Sequence, residues 1–151
     1  MVSRKHYDVV AAVVEHGGRV LCLRKGTTRY AYTSHRWEFP GGKVEAGEMP
    51  EQALQRELRE ELYIHVEVLG HLVTVEHDYP DFSITLRAYR CSSTSGEVRL
   101  LEHEAMQWLC PSQLPTLDWC AADVPIAQAL AREAEKLTHK TMNEDETTCD
   151  I

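Results

Sequence analysis

Residues 7–16, YDVVAAVVEH, are a short continuous apolar run rich in valine. Branched side chains at this density, over so short a stretch, read as a strand buried on both faces. Gly17 and Gly18 supply a turn signal, and RVLCLRK follows as a second strand. Residues 26–36, GTTRYAYTSHR, have no clear period and read as a loop. Its Arg29, Tyr30, Tyr32 and Arg36 suit a phosphate or a ring, and equally suit a solvated loop with aromatic anchors.

Residues 50–62 read as a helix. Pro50 fits the first helical position, where its missing N–H costs nothing. Leu54, Leu58 and Leu62 make one apolar stripe at spacing four. Strand-like alternation returns at Ile64, Val66 and Val68, and again through Phe82, Ile84, Leu86 and Ala88. EVRLL (97–101) and EAMQWLC (104–110) suggest two more short strands. Residues 123–137 predict a second helix, capped by Asp123, with Ile126, Leu130, Ala134 and Leu137 facing the core. Strands gathered around two helices, without regular βαβ alternation, predict an α+β layered fold. The chain has 151 residues, which suits one domain over 1–137. Residues 138–151 are polar, aperiodic and expected to form a flexible tail.

No run approaches the roughly 18 apolar residues of a membrane helix. The N-terminal MVSRKHYDVV lacks the apolar stretch and cleavage site of a signal peptide, so a cytoplasmic location is expected. Five scattered cysteines without a C-x-x-C pair suit plain thiols in a reduced compartment. Eight scattered histidines form no zinc pattern. The formal net charge of −8 argues against a nucleic-acid polymer as partner. It permits a small phosphorylated ligand, provided divalent cations lie between the two sets of negative charge.

The carboxylates of QRELREEL (55–62) point the same way. At 100° per residue, Glu57, Glu60 and Glu61 span roughly a quarter turn beside the leucine stripe. Like charges at such spacings repel by a few tenths of a kcal/mol, or roughly 0.2–0.5 per pair. Arg56 offsets part of this from four residues before Glu60. Gly41 and Gly42 precede the helix and allow unusual dihedrals and a close backbone approach. Hard cations such as Mg²⁺ take oxygen ligands, so a divalent ion would turn these clustered acids into a site.

The stretch from Gly42 to Ile64 resembles the Nudix box: Gly, five residues, Glu, seven residues, Arg-Glu, an apolar residue, any residue, Glu-Glu, any residue, Gly, an apolar residue. The chain supplies Gly42, Glu48, Arg56, Glu57, Leu58, Glu60, Glu61 and Ile64. Tyr63 replaces the late glycine, which would adopt positive φ at a helix C-terminus. Met49 stands where a hydroxyl or Asx residue normally caps a helix, so another group must satisfy those N–H groups. The resemblance implies a Nudix fold, an α/β/α sandwich around a mixed sheet. It implies hydrolysis of a nucleoside diphosphate linked to another group, with Mg²⁺ as cofactor and Mn²⁺ as a substitute. By the family pattern Glu57, Glu60 and Glu61 hold metal with the Gly41 carbonyl, Glu57 is the leading general base, and Glu48 and Arg56 orient the site.

WEFPGGKVE, HDYPDFSITL and EHEAMQWL are similar to the MutT-like branch and its CTP pyrophosphohydrolase relatives. That branch cleaves nucleoside triphosphates to a monophosphate and pyrophosphate through attack on the β-phosphorus. The likeness assigns an added metal contact to Glu102, with Glu104 second. It assigns base reading to Asp123, expected as an ionised acceptor for an N–H-rich edge of cytosine or guanine. Helix capping remains the alternative role for Asp123. Tyr79 would stack on the base, and Lys43 and Arg24 would add positive potential. Oxidised guanine and cytosine nucleotides are both expected substrates of a nucleotide-pool enzyme. Hydrolysis of dinucleotide polyphosphates or nucleotide sugars, and non-catalytic nucleotide binding, remain open, as does a monomeric or homodimeric state.

Overall fold

A computed structural model describes residues 4–140. The valine-rich run is β1 (Lys5–His16), the middle strand of a mixed sheet. β2 (Arg19–Arg24) returns antiparallel to it through the Gly17–Gly18 turn. Two very short strands follow, β3 (Trp37–Glu38) beside β2 and β4 (Gly41–Lys43) beside β1. After the helix α1 (Pro50–Leu62) come β5 (Glu67–Asp78) and β6 (Phe82–Ser92), an antiparallel pair. β6 lies parallel to β1, and β7 (Ala105–Leu109) completes the sheet against β2. The helix α2 (Val124–Lys140) closes the described chain.

The strand period of two sorts β1 between two cores. Val10, Ala12 and Val14 pack with Leu54, Leu58 and Leu62 of α1. Ala11 and Val13 pack with Ile126, Ala127 and Leu130 of α2. One helix layer therefore covers each face of the sheet, the α/β/α sandwich expected.

The differences from expectation are local. Residues 97–101 pair with no strand; Val98 and Leu100 tuck against the α1 core, and the Arg99 N–H bonds the Leu62 carbonyl at 3.1 Å. Their alternation reflects that one-sided burial. Ile64 and Val66 are buried ahead of β5 rather than within it. Asp123 lies in a short 3₁₀ turn before α2. Leu137 is 61% exposed and does not face the core. That helix also continues to Lys140, into the stretch expected as tail; residues 141–151 lie outside the described residues. Cys22, Cys91 and Cys120 are buried free thiols, as expected, and Cys149 lies outside the described residues.

Both irregular ends of α1 resolve simply. The Met49 N–H donates to the Gln52 side chain at 3.0 Å, half of a capping box supplied by glutamine. Tyr63 takes the left-handed conformation itself, with φ 56° and ψ 34°.

Candidate active site

α1 lays its acidic edge against β4. A Cβ on Gly42 would fall 2.4 Å from the Glu57 carboxyl carbon, so the absence of a side chain there admits the carboxylate. A Cβ on Gly41 would strike the Val10 carbonyl oxygen at 1.9 Å. The pair thus serves close approach, as expected. It does not serve unusual dihedrals: the described glycines at positive φ are Gly17, Gly18 and Gly47.

Arg56 binds the edge together. Its Nε donates to Glu48 Oε2 at 2.7 Å and its Nη2 to Glu48 Oε1 at 3.0 Å. Nη1 reaches Glu57 Oε1 at 3.0 Å and Glu60 Oε2 at 3.4 Å, and Nη2 also donates to the Lys43 carbonyl at 3.1 Å. The guanidinium fork matches a carboxylate bidentately, which fixes geometry as well as charge. The Arg56 hydrogen bonds, helped by the Glu45 N–H, hold Glu48 down to about 2.

Beside this edge a cleft of about 640 Å³ runs along β1, and Gly41, Gly42, Lys43, Glu61 and Glu102 are among its lining residues. Lys25, Glu38, His103 and Asp123 line it elsewhere, with Tyr30, Tyr79 and Phe82 on its wall. Burial raises Glu61 to about 8, reinforced by its hydrogen bond to Glu57 and by the charges of Glu57, Glu102 and Glu38. As these side chains stand, no three metal-binding groups among the described residues converge on one point. Their chemistry nonetheless fits a hard divalent cation: the donors are all oxygen, and Glu61 holds a proton that a cation would replace. Glu60 points outward, with its side chain 60% exposed.

Several predicted residues are engaged elsewhere. Arg24 is not among the cleft-lining residues; its Nε pairs with Glu104 at 2.9 Å. Glu104 also binds His35 Nδ1 at 2.8 Å, which leaves Glu102 as the acid of that loop facing the cleft. Arg36 pairs with Asp118 at 3.0 Å. Lys43 lines the cleft with its Nζ 4.2 Å from the centre of the Tyr7 ring. Tyr79 is only 6% exposed, stacked on Tyr32 at 5.5 Å and packed on Phe82 at 4.9 Å. Its hydroxyl accepts the Ala122 N–H.

Asp123 is buried, and its Oδ2 accepts the Phe39 N–H at 3.0 Å. Burial, with the Glu38 charge, pushes it up to about 8 against the pull of Phe39 N–H and Lys25. A carboxyl raised in this way is able to carry a proton and donate, a second role beside the ionised acceptor expected from the sequence. Sequence reasoning assigned nothing to Lys25, Glu38 or His103. Glu38 stood inside WEFPGGKVE, the one signal that marked it.

A sheet between two helices, with an arginine-bound acidic edge beside a cleft of nucleotide size, defines a phosphoanhydride hydrolase of the MutT type. The chain belongs to the Nudix family: the NUDIX domain pattern matches residues 4–130. Over 125 residues it is 34% identical to CTP pyrophosphohydrolase of Escherichia coli (strain K12), spanning 83% of this chain and 91% of that one. It is 40% identical over 125 residues to putative 8-oxo-dGTP diphosphatase 2 of Mycobacterium tuberculosis (strain H37Rv), spanning 82% and 87%. It is 52% identical over 100 residues to 8-oxo-dGTP diphosphatase of Proteus vulgaris, spanning 65% and 87%. Among solved structures, the E. coli ORF135 protein superposes with a TM-score of 0.74 at 31% identity, covering 88% of this chain and 94% of that one.

Proposed function

We propose that this Nudix hydrolase converts a nucleoside triphosphate and water to the monophosphate and pyrophosphate. It acts on the soluble nucleotide pool of the cytoplasm, with a cytosine or oxidised guanine base. The observation that carries this reading is Glu57, held by Arg56 against the backbone of Gly42, which with Glu61 of the same helix lines the cleft. Relatives named for CTP and 8-oxo-dGTP hydrolysis support the substrate class.

Glu57, Glu61, Glu102 and the Gly41 carbonyl would hold Mg²⁺, or Mn²⁺ in its place, with Glu60 at the outer edge. Such an ion acidifies bound water and neutralises charge growing on phosphate oxygens. Glu57 takes the proton of the attacking water. Arg56, itself gripped by Glu48, keeps Glu57 aimed and does not leave it free to swing. Lys43 adds positive potential at the cleft mouth. At the far end Asp123 donates to the base and Glu38 accepts from it. Tyr79 backs the aromatic wall and leaves Tyr30 and Phe82 nearer the ligand. No nucleic-acid polymer is required as partner, and among the described residues no helix is long and apolar enough to cross a membrane.

The test is a panel of CTP, dCTP, GTP, dGTP and 8-oxo-dGTP with Mg²⁺, read by chromatography. Monophosphate with pyrophosphate is the expected product pair. Diphosphate with orthophosphate, or no turnover of any triphosphate, contradicts the reading.

A further inference from the structure

Glu38 is held from two sides where it lines the cleft. Its Oε2 accepts from His103 Nε2 at 2.8 Å, and Lys25 Nζ stands 3.6 Å from Oε1. Its neighbour Phe39 donates its N–H to Asp123, and Glu38 and Asp123 both line the cleft, near enough for the Glu38 charge to act on Asp123. A carboxylate only accepts hydrogen bonds, which fixes the hydrogen on His103 Nε2.

His103 is built for that one bond. Its side chain is 8% exposed, and its other nitrogen, Nδ1, is buried with no partner among the described residues. A buried nitrogen left unpaired lowers stability, so a purely structural core position favours an apolar side chain. The loop that carries it is pinned immediately afterwards. Glu104 bonds Arg24 at 2.9 Å and His35 at 2.8 Å, and its N–H bonds the Arg24 carbonyl at 2.9 Å. The imidazole is therefore delivered to Glu38 from a fixed backbone.

We propose that His103 is a positioning residue for substrate selection, aiming the Glu38 carboxylate at an N–H-bearing edge of the nucleobase. This rests on the nucleotide reading above and assigns His103 no contact with the reacting phosphates. Lys25 neutralises the other carboxylate oxygen, and His103 sets the direction of the lone pairs that remain. Loss of the imidazole frees Glu38 to turn toward Lys25 and weakens ground-state binding, leaving the chemical step in place.

The experiment is a double-mutant cycle of H103L and E38A, with Mg²⁺ and the same five triphosphates. For the best substrate, H103L is expected to raise KM about tenfold with kcat little changed. H103Q, whose amide can donate to Glu38, restores most of the loss. In the E38A background H103L has no further effect, since no acceptor is left at position 38 for the imidazole to hold. H103L melts at or above the wild-type temperature, because the unpaired nitrogen is gone. If H103L does not fold, H103N, too short to reach Glu38, takes its place in the cycle. An additive cycle, a loss confined to kcat, or no recovery in H103Q overturns the role given to His103. Absence of wild-type turnover overturns the nucleotide reading instead, so the two failures are distinct.

Discussion

Gly42 and the Glu57 carboxylate are packed so closely that a Cβ on Gly42 would lie 2.4 Å from the carboxyl carbon. The atoms met belong to the end of a flexible side chain, so Gly42→Ala displaces Glu57 more readily than it disturbs the sheet. Its stability should change by no more than about 1 kcal/mol. A misplacement of about 1 Å costs on the order of a hundredfold in rate, and kcat/KM should fall by that much. Gly41→Ala is the contrast: its Cβ meets the Val10 carbonyl oxygen, a backbone atom, at 1.9 Å. Thermal melting should show it destabilised by about 3 kcal/mol.

Arg56→Lys keeps the charge but not the fork. Lysine cannot reproduce the paired bonds to Glu48 at 2.7 and 3.0 Å while reaching Glu57. The variant should fold with a lowered melting temperature and lose about a hundredfold in kcat. Glu48 is depressed to about 2 by this pair, so its stabilisation is present above its unfolded value near 4.5 and lost as pH falls toward 2. In acid titrations followed by circular dichroism, Arg56→Lys should therefore unfold at a higher pH than wild type.

Asp123 has the opposite sign. Its folded value, about 8, lies above the ordinary 3.8, so its contribution is present below pH 4 and is lost as pH rises through 8. Relative to Asp123→Asn, the ligand-free wild type should lose stability across that window, by at most about 1.4 kcal/mol per pH unit. Denaturant titrations at pH 5 and pH 9 measure the difference. An equal gap at both values contradicts the burial account.

Tyr63 holds a left-handed conformation at φ 56° with 63% of its surface exposed. Tyr63→Gly removes the Cβ penalty at this helix end. It should stabilise the fold by about 1 kcal/mol, less whatever the Tyr63 ring gains from Arg99 at 5.4 Å.

The parts of the chain legible in its sequence were those where one local pattern decides the outcome. The valine run, the leucine stripe of α1 and the spacing of Glu48, Arg56 and Glu57 each carry their meaning within a few residues. The alternation of Val98 and Leu100 misled because one-sided burial looks the same whether or not a strand pairs. Leu137 misled because periodicity does not say how far along a helix burial continues. The surroundings of Asp123, itself singled out from the sequence, were hidden for a different reason. Lys25, Glu38, His103 and Asp123 come from four separate segments, and long-range contacts alone bring them together. The upward shift of Asp123 likewise follows from burial that no neighbouring residue announces. Arg24 and Glu104, each plausible as a ligand, satisfy one another.

The central claim is that Glu57 and Glu61 are gathered on α1 to bind a divalent cation against a polyphosphate. Glu61, raised to about 8 by burial and its acidic neighbours, must release its proton to do so. The direct measurement is calorimetric titration of Mn²⁺ into the protein with a non-hydrolysable dGTP analogue, in two buffers of different ionisation enthalpy, for wild type and E57Q/E61Q. The account predicts saturable binding with proton release below pH 8, tightening as pH rises and lost in the double variant. Binding of equal strength in both proteins, or none in the wild type, would contradict it.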